Sequence, residues 1–252
     1  MVSRRRVMAA VSGVAGLAAT NVSARVFSTN EMLDQIIAAT PLLFVDNTFI
    51  DEEAGTPEER DYHRRSRFIG VIFQDYILTT AHGIVSDIKR SHSVRRGKQS
   101  RKVILKDSDR QVYLPYKPEG SDKEKSHLVK QLLLDEKLDF AVLELPRDYA
   151  GPRVPVRLGD SDKVKLGQEV WIVGNGGLKG DFIKRGTIAN YVQDDRLPFA
   201  CPVLGGDSGA GVYHAETFEL LGLVRSARGT QSYAVPINFF KGHIQSAIHT
   251  VR

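Results

Sequence analysis

Residues 76–83 read Tyr76-Ile77-Leu78-Thr79-Thr80-Ala81-His82-Gly83: an apolar strand ends in small residues and delivers a histidine at its tip. Around it lie further short apolar runs, at Leu42–Ile50, Phe68–Gln74, Lys102–Lys106, Gln111–Tyr116, Leu128–Leu134 and Phe140–Leu145. A second set occupies Glu169–Val173, Phe182–Val192, Phe199–Val203, Gly211–His214, Leu220–Ser226 and Ser232–Val235. Runs of this kind, separated by turns and without helical patterns between them, predict an all-β barrel or sandwich in two halves. The passage Pro146 to Pro155, with Gly151 and Pro152 inside it, reads as the linker over residues 147–155. The first half is thus expected at 25–146 and the second at 156–252.

Two helices frame the strands. Ser28 and Glu31 form a capping box ahead of Met32, Leu33, Ile36 and Ile37 at helical spacing, and Pro41 follows. At the other end Ile237, Phe240, Ile244, Ile248 and Val251 define one apolar helix face.

Composition narrows the function classes. The 252 residues are 42% hydrophobic and 26% charged, ordinary for a globular chain and unlike a disordered, collagenous or coiled-coil one. No apolar stretch reaches eighteen residues, which excludes a multi-span helical membrane protein. One cysteine, Cys201, excludes an internal disulfide framework and multi-cysteine metal sites, and it reads as a small buried hydrophobe. The acidic run Asp51, Glu52, Glu53, Glu58 and Glu59 lacks EF-hand spacing, and Gly174-Asn175-Gly176-Gly177 lacks the Lys-Ser or Lys-Thr of a phosphate loop. No metal and no cofactor is expected.

The N-terminus reads as a targeting segment over residues 1–24. Arg4, Arg5 and Arg6 precede a weakly apolar run, Val7 to Thr20, and Val22-Ser23-Ala24 supplies small residues for a signal peptidase. Ser3-Arg4-Arg5-Arg6-Val7-Met8 also resembles a twin-arginine export signal. Its removal takes three of the 35 basic residues and no acid, leaving 32 against 30 acidic residues. That balance is no nucleic-acid footprint, so the chain's basicity is mostly a transport label. Export to the periplasm or medium is expected, with no integral span after cleavage. The alternative is an uncleaved cytoplasmic or phage-associated protein. The basic run Lys89, Arg90, Arg95, Arg96, Lys98, Arg101 and Lys102 reads as a solvated loop.

Three motifs carry chemistry. Besides the histidine strand, Leu138-Asp139-Phe140-Ala141-Val142-Leu143-Glu144-Leu145 sets an aspartate immediately before a buried strand. Gly205-Gly206-Asp207-Ser208-Gly209-Ala210-Gly211 holds a serine in a turn that can bend tightly and expose its hydroxyl. Acyl transfer needs these three residue types together. A serine hydroxyl attacks well only when a base takes its proton, and histidine is the side chain best matched to that task near neutral pH. A buried carboxylate fixes the imidazole tautomer, and glycines let N–H groups converge on a developing oxyanion. Each motif has a plainer reading: a strand-end histidine, a capping aspartate with Asp135 close by, and a turn made of turn-formers.

In this order, His then Asp then Ser, the motifs resemble the trypsin-like serine peptidases of chymotrypsin fold over roughly residues 40–245. Trp171-Ile172-Val173-Gly174-Asn175-Gly176, Gly222-Leu223-Val224 and Tyr233-Ala234-Val235-Pro236 make the likeness closer to bacterial exported and HtrA-type members. The resemblance implies two six-stranded antiparallel barrels with the site between them, His82 and Asp139 from the first and Ser208 from the second. It implies an endopeptidase acting on protein or peptide substrates, with an oxyanion hole at the N–H groups of Gly206 and Ser208. The substrate pocket would be lined near Pro202, Val203, Arg225 and Ser226. No acid lies in Cys201 to Leu204, so a preference for Lys or Arg is not expected, and Arg225 or Arg228 is a candidate for selecting an acidic side chain.

Two departures from the family matter. In zymogen-type relatives the carboxylate at the Asp207 position pairs with a newly cut N-terminal amine, but no matching activation sequence is present. Phe68-Ile69-Gly70-Val71 lies too near His82 and reads as a strand. No PDZ-like region is expected after the closing helix. Two other readings stay open: a catalytically inactive binding protein on a peptidase scaffold, and a phage or viral processing peptidase. Sequence alone leaves the oligomeric state open.

Overall fold

The structure, a computed structural model, describes residues 28–50, 61–85, 91–96, 99–105, 111–116, 125–153, 156–175 and 181–250. The expected signal segment, the acidic run at 51–59 and part of the Gly174–Gly177 turn lie outside the described residues. Helix α1 (Thr29–Ala38) starts where the sequence predicts. The Ser28 Oγ accepts the Glu31 N–H, and the Glu31 carboxylate accepts the Ser28 N–H at 2.8 Å. Its buried face, Leu33 and Ile36, joins the larger core cluster, which draws on both halves.

The first half carries strands β1 (Leu42–Ile50), β2 (Asp61–Ile69), β3 (Val71–Phe73), β4 (Tyr76–Thr79), β5 (Ser91–Arg96), β6 (Gln99–Leu105), β7 (Gln111–Tyr116), β8 (Lys125–Val129), β9 (Gln131–Asp135) and β10 (Phe140–Glu144). They pair as a six-stranded sheet, β5-β6-β1-β7-β8 with β2 also on β1, and a four-stranded sheet, β3-β4-β10-β9. The expected single ring of six strands is therefore replaced, in the main-chain pairing, by two sheets. Two chain passages join them. β2 continues into β3 at Gly70, and β8 into β9 at Lys130, so Leu128–Leu134 is two strands rather than one. At Gly70 a Cβ would sit 2.4 Å from the Ile77 side chain, which is why this bend takes glycine.

The basic run after His82 is not a loop. Residues 91–96 and 99–105 pair antiparallel, from Ser91 opposite Ile104 to Arg96 opposite Gln99. Charge does not oppose this, because the main chain makes the pairing and one sheet face can meet water. Residues 89, 90 and 98 of that run lie outside the described residues.

The second half holds β11 (Glu169–Asn175), β12 (Asp181–Ile188), β13 (Leu197–Ala200), β14 (Gly211–His214), β15 (Leu220–Arg228) and β16 (Gln231–Pro236). They close into a barrel in the order β11-β12-β13-β16-β15-β14. β12 stops at Ile188, short of the expected Val192, and the chain turns through 189–196, pinned by a Gln193–Arg196 bridge. Val170, Ile172, Phe199, Val212 and Leu221 fill the barrel, together with Cys201, which is buried as the sequence suggests.

Helix α3 (Asn238–Thr250) follows β16, but its apolar face also reaches the other half. Ile237, Phe240 and Ile244 belong to the larger core cluster, which joins most of the first half's buried residues to Val173, Tyr213, Leu220, Leu223 and Val235 of the second, and Phe240 stacks on Phe140 with ring centroids 4.8 Å apart. Full burial of each such side chain stabilises by about 1.5–3 kcal/mol, and the stacked geometry adds about 1 kcal/mol. No helix among the described residues is long and apolar enough to cross a membrane.

Candidate active site

Register brings the first two groups together. β4 and β10 run antiparallel with Thr79 opposite Ala141 and Leu78 opposite Val142. Continued past the strand ends, that register sets Asp139 across from Ala81, one residue from His82. Helix α2 (Ala81–Val85) begins at that point, a single turn that the sequence did not signal. Asp139 closes the turn after β9 with φ +59°, a left-handed conformation that aspartate tolerates better than most residues. The neighbouring Asp135 holds the same turn: its Oδ1 accepts the Leu138 N–H at 2.8 Å.

Asp139 is buried and grips His82 at two points. Its Oδ1 accepts the His82 backbone N–H at 2.9 Å, and its Oδ2 lies 2.9 Å from Nδ1. A carboxylate can only accept, so Nδ1 carries the ring proton and Nε2 is left as the acceptor. Nε2 lies 2.7 Å from the Ser208 Oγ. All three motif residues thus meet in one chain of hydrogen bonds. A hydroxyl there can pass its proton to an imidazole whose far side is held by a carboxylate, the arrangement that activates an oxygen nucleophile.

Ser208 sits in the turn between β13 and β14, docked on both halves. The Ile69 N–H donates to the Ser208 carbonyl at 2.9 Å, and the Gly209 N–H donates to the Val224 carbonyl at 2.8 Å. Gly206 and Gly209 have φ of +98° and +87°. Among the described residues neither Gly206 nor Ser208 spends its N–H on another protein group, so both remain free for a ligand oxygen.

Asp207 has a partner that sequence reading did not name. Lys184, on β12, places its Nζ 2.7 Å from Asp207 Oδ2 and 3.2 Å from the Pro202 carbonyl oxygen. The same Asp207 oxygen accepts the Leu204 N–H at 2.8 Å. One ammonium therefore ties the start of the loop to its end, and its approach over the Phe182 ring, 4.4 Å from the centroid, shields it further. The only sequence signal was a lone lysine inside a strand, opposite the buried Ile172.

Of the expected pocket residues, Pro202 and Ser226 are exposed and Val203 is half-buried. Arg225 is turned inward. Its Nε lies 3.1 Å from Asp139 Oδ2, and its guanidinium also pairs with Asp195. An incoming acidic side chain would have to compete with both carboxylates. A cleft lined by His82, Glu136, Asp139, Arg225 and Ser226 leads to this cluster. A larger cavity of about 670 Å³, bordered by Lys163, Gln168, Glu169, His214 and Glu216, contains none of the three motif residues, whereas two of them, His82 and Asp139, line the cleft. Burial pushes the Cys201 thiol up, which leaves it a poor nucleophile.

A family model described as a trypsin-like peptidase domain matches residues 69–223. The fold resembles a solved structure of the HtrA-type protease AlgW with a decapeptide, with TM-score 0.61 and 16% identity over 88% of this chain and 68% of that one. A variant of AlgW with a decapeptide gives TM-score 0.63 at 15% identity, over 90% of this chain and 68% of that one. Comparison with curated protein sequences yields no match.

Proposed function

The chain belongs to the trypsin-like peptidase domain family, and from that premise we propose that it is a serine endopeptidase working through an acyl-enzyme on Ser208. The observation that carries this reading is the 2.7 Å contact between His82 Nε2 and Ser208 Oγ, with Asp139 on the opposite ring nitrogen. Ser208 Oγ attacks the peptide carbonyl carbon while its proton passes to His82 Nε2. The tetrahedral oxyanion is received by the N–H groups of Gly206 and Ser208. His82 then returns the proton to the departing amine nitrogen as the C–N bond breaks. Water repeats the sequence on the ester, and Ser208 is regenerated. Asp139 keeps the imidazole in the required tautomer and balances its transient charge. The two-sheet first half is read as the counterpart of the family's first barrel, with 147–155 as the linker to the second.

The experiment is labelling of the full chain with a fluorophosphonate probe, alongside cleavage of a peptide library. Labelling at Ser208 with peptide cleavage supports the proposal. Folded protein that takes no label favours the non-enzymatic binding reading. Peptide substrates suit a cleft open along β15, whose edge from Ser226 to Arg228 is exposed. Export is part of the same proposal: N-terminal sequencing of the mature protein is expected to find a chain starting near Arg25, and an intact Met1 terminus would favour the cytoplasmic or phage-associated alternative.

Lys184 supplies a further expectation. Lys184→Met leaves the buried Asp207 carboxylate with the Leu204 N–H and no cation. Breaking a largely buried pair from one side costs up to 3–5 kcal/mol, and partial exposure of Lys184 lowers this to about 2 kcal/mol. The variant should unfold at lower urea and acylate at least roughly tenfold more slowly, because the loop carrying Gly206 loses its tie. Unchanged acylation would separate the ion pair from the oxyanion loop.

A further inference from the structure

Arg225 and Asp195 are not used by the chemistry above, yet they contact it directly. The Arg225 Nε and the His82 Nδ1 flank one oxygen, Asp139 Oδ2, at 3.1 Å and 2.9 Å. A fixed positive charge therefore lies within about 6 Å of the ring that must gain a proton in the transition state. On the far side of the guanidinium stands Asp195, from the turn between β12 and β13. Arg225 and Asp195 are both about three-quarters buried, at 22% and 26% side-chain exposure. Burial works against the Asp195 carboxylate, but the hydrogen bond and charge of Arg225 outweigh it and hold that carboxyl below the ordinary aspartate range. The pair is thus ionised at neutral pH.

The other charged groups around this cluster are few among the described residues. Arg196 reaches Asp195 at 3.6 Å from its own turn, and Glu136 lines the cleft from the β9–β10 turn. Neither touches Asp139. The Ser208 hydroxyl meets the ring from the opposite nitrogen.

We propose that Arg225 and Asp195 form a graded counter-charge that sets the basicity of His82: the guanidinium draws on the Asp139 carboxylate and opposes imidazolium formation, and Asp195 moderates it. These are positioning residues, acting through Asp139, and the proposal rests on the peptidase reading above. A site with Asp139 unopposed would hold a proton on His82 at higher pH and lose its base earlier on acidification. Asp195 keeps the draw of Arg225 from going so far that the imidazolium is no longer stabilised when the serine proton arrives. The position on β15 suits the task, because the strand register shifts between Val224 and Ser226, at Arg225 itself.

The test is the pH dependence of fluorophosphonate acylation, measured as a second-order rate on the full chain and on Arg225→Gln, Arg225→Lys and Asp195→Asn. Removing the cation stabilises the imidazolium, so the acid limb of R225Q should move up by about one pH unit, an approximately tenfold slower rate on that limb relative to its plateau. Removing the anion does the reverse, so D195N should move the limb down, by roughly half a unit. R225K retains the charge and should return the limb towards wild type. A purely structural role would lower the plateau in both variants and leave the limbs in place. Limbs that coincide, or that move the same way in R225Q and D195N, overturn the proposal. If R225Q fails to fold, the direction of the D195N limb decides, since that residue touches neither His82 nor Asp139. Wild-type protein that never acylates would instead overturn the peptidase reading, and this inference with it.

Discussion

Ser208→Ala protein is expected to fold as the parent does, bind peptides with similar affinity, and turn them over about a million-fold more slowly, with no fluorophosphonate label. The size follows from the unit formed by three side chains. Among the described residues His82 Nε2 has one hydroxyl within reach, at 2.7 Å, and its removal should leave the base without that nucleophile to deprotonate. On the proposed mechanism, what should survive is the residual rate from the N–H groups of Gly206 and residue 208 acting on a carbonyl attacked by water. Residual catalysis of that kind is typically a thousand- to ten-thousand-fold over water. Fold integrity should survive, because the Ser208 carbonyl, not its hydroxyl, docks the turn on Ile69. Single-turnover kinetics on a cleavable peptide checks the prediction. A loss of tenfold or less would mean that another group attacks.

Gly209→Ala is expected to damage the fold itself. A Cβ at this residue would lie 1.9 Å from the Ile69 carbonyl oxygen and 2.7 Å from the Thr79 Oγ1. Those two atoms are themselves hydrogen-bonded at 2.6 Å, so neither can retreat without breaking a buried contact. The backbone adds its own objection, since φ is +87°. Left-handed strain and a main-chain clash together should cost on the order of 3–5 kcal/mol, a fall in Tm of roughly 10 °C or more for a chain of this size. Acylation should be lost with it, because Gly209 seats the serine turn against Val224 and the end of β2. Thermal melts and labelling of the same sample test both effects. A variant that melts normally would show that the turn can shift as a body.

The local elements of this fold were legible because their signals are local. A capping box, Gly-rich turns and apolar runs bounded by breakers depend on neighbours in the chain, and α1, β1, β7 and β14 lie at the expected residues. The pairing partners were not. The crossing of β2 into β3 and of β8 into β9 depends on which sheet each strand end meets, and no periodicity encodes that. The three motif residues could be named because their chemistry demands those side chains. Lys184 and Asp195 could not, since a lysine in a strand or an aspartate in a turn is ordinary until the barrel closes. Arg225 was visible as a candidate for the cleft, but its direction was not: the bulge in β15 turns it onto Asp139.

The packing of α3 bears on the order in which the protein can be finished. Phe140 leaves the ribosome about a hundred residues before Phe240, the ring that covers it. During synthesis the Phe140 ring therefore goes without its stacking partner until β11–β16 and the start of α3 have followed it.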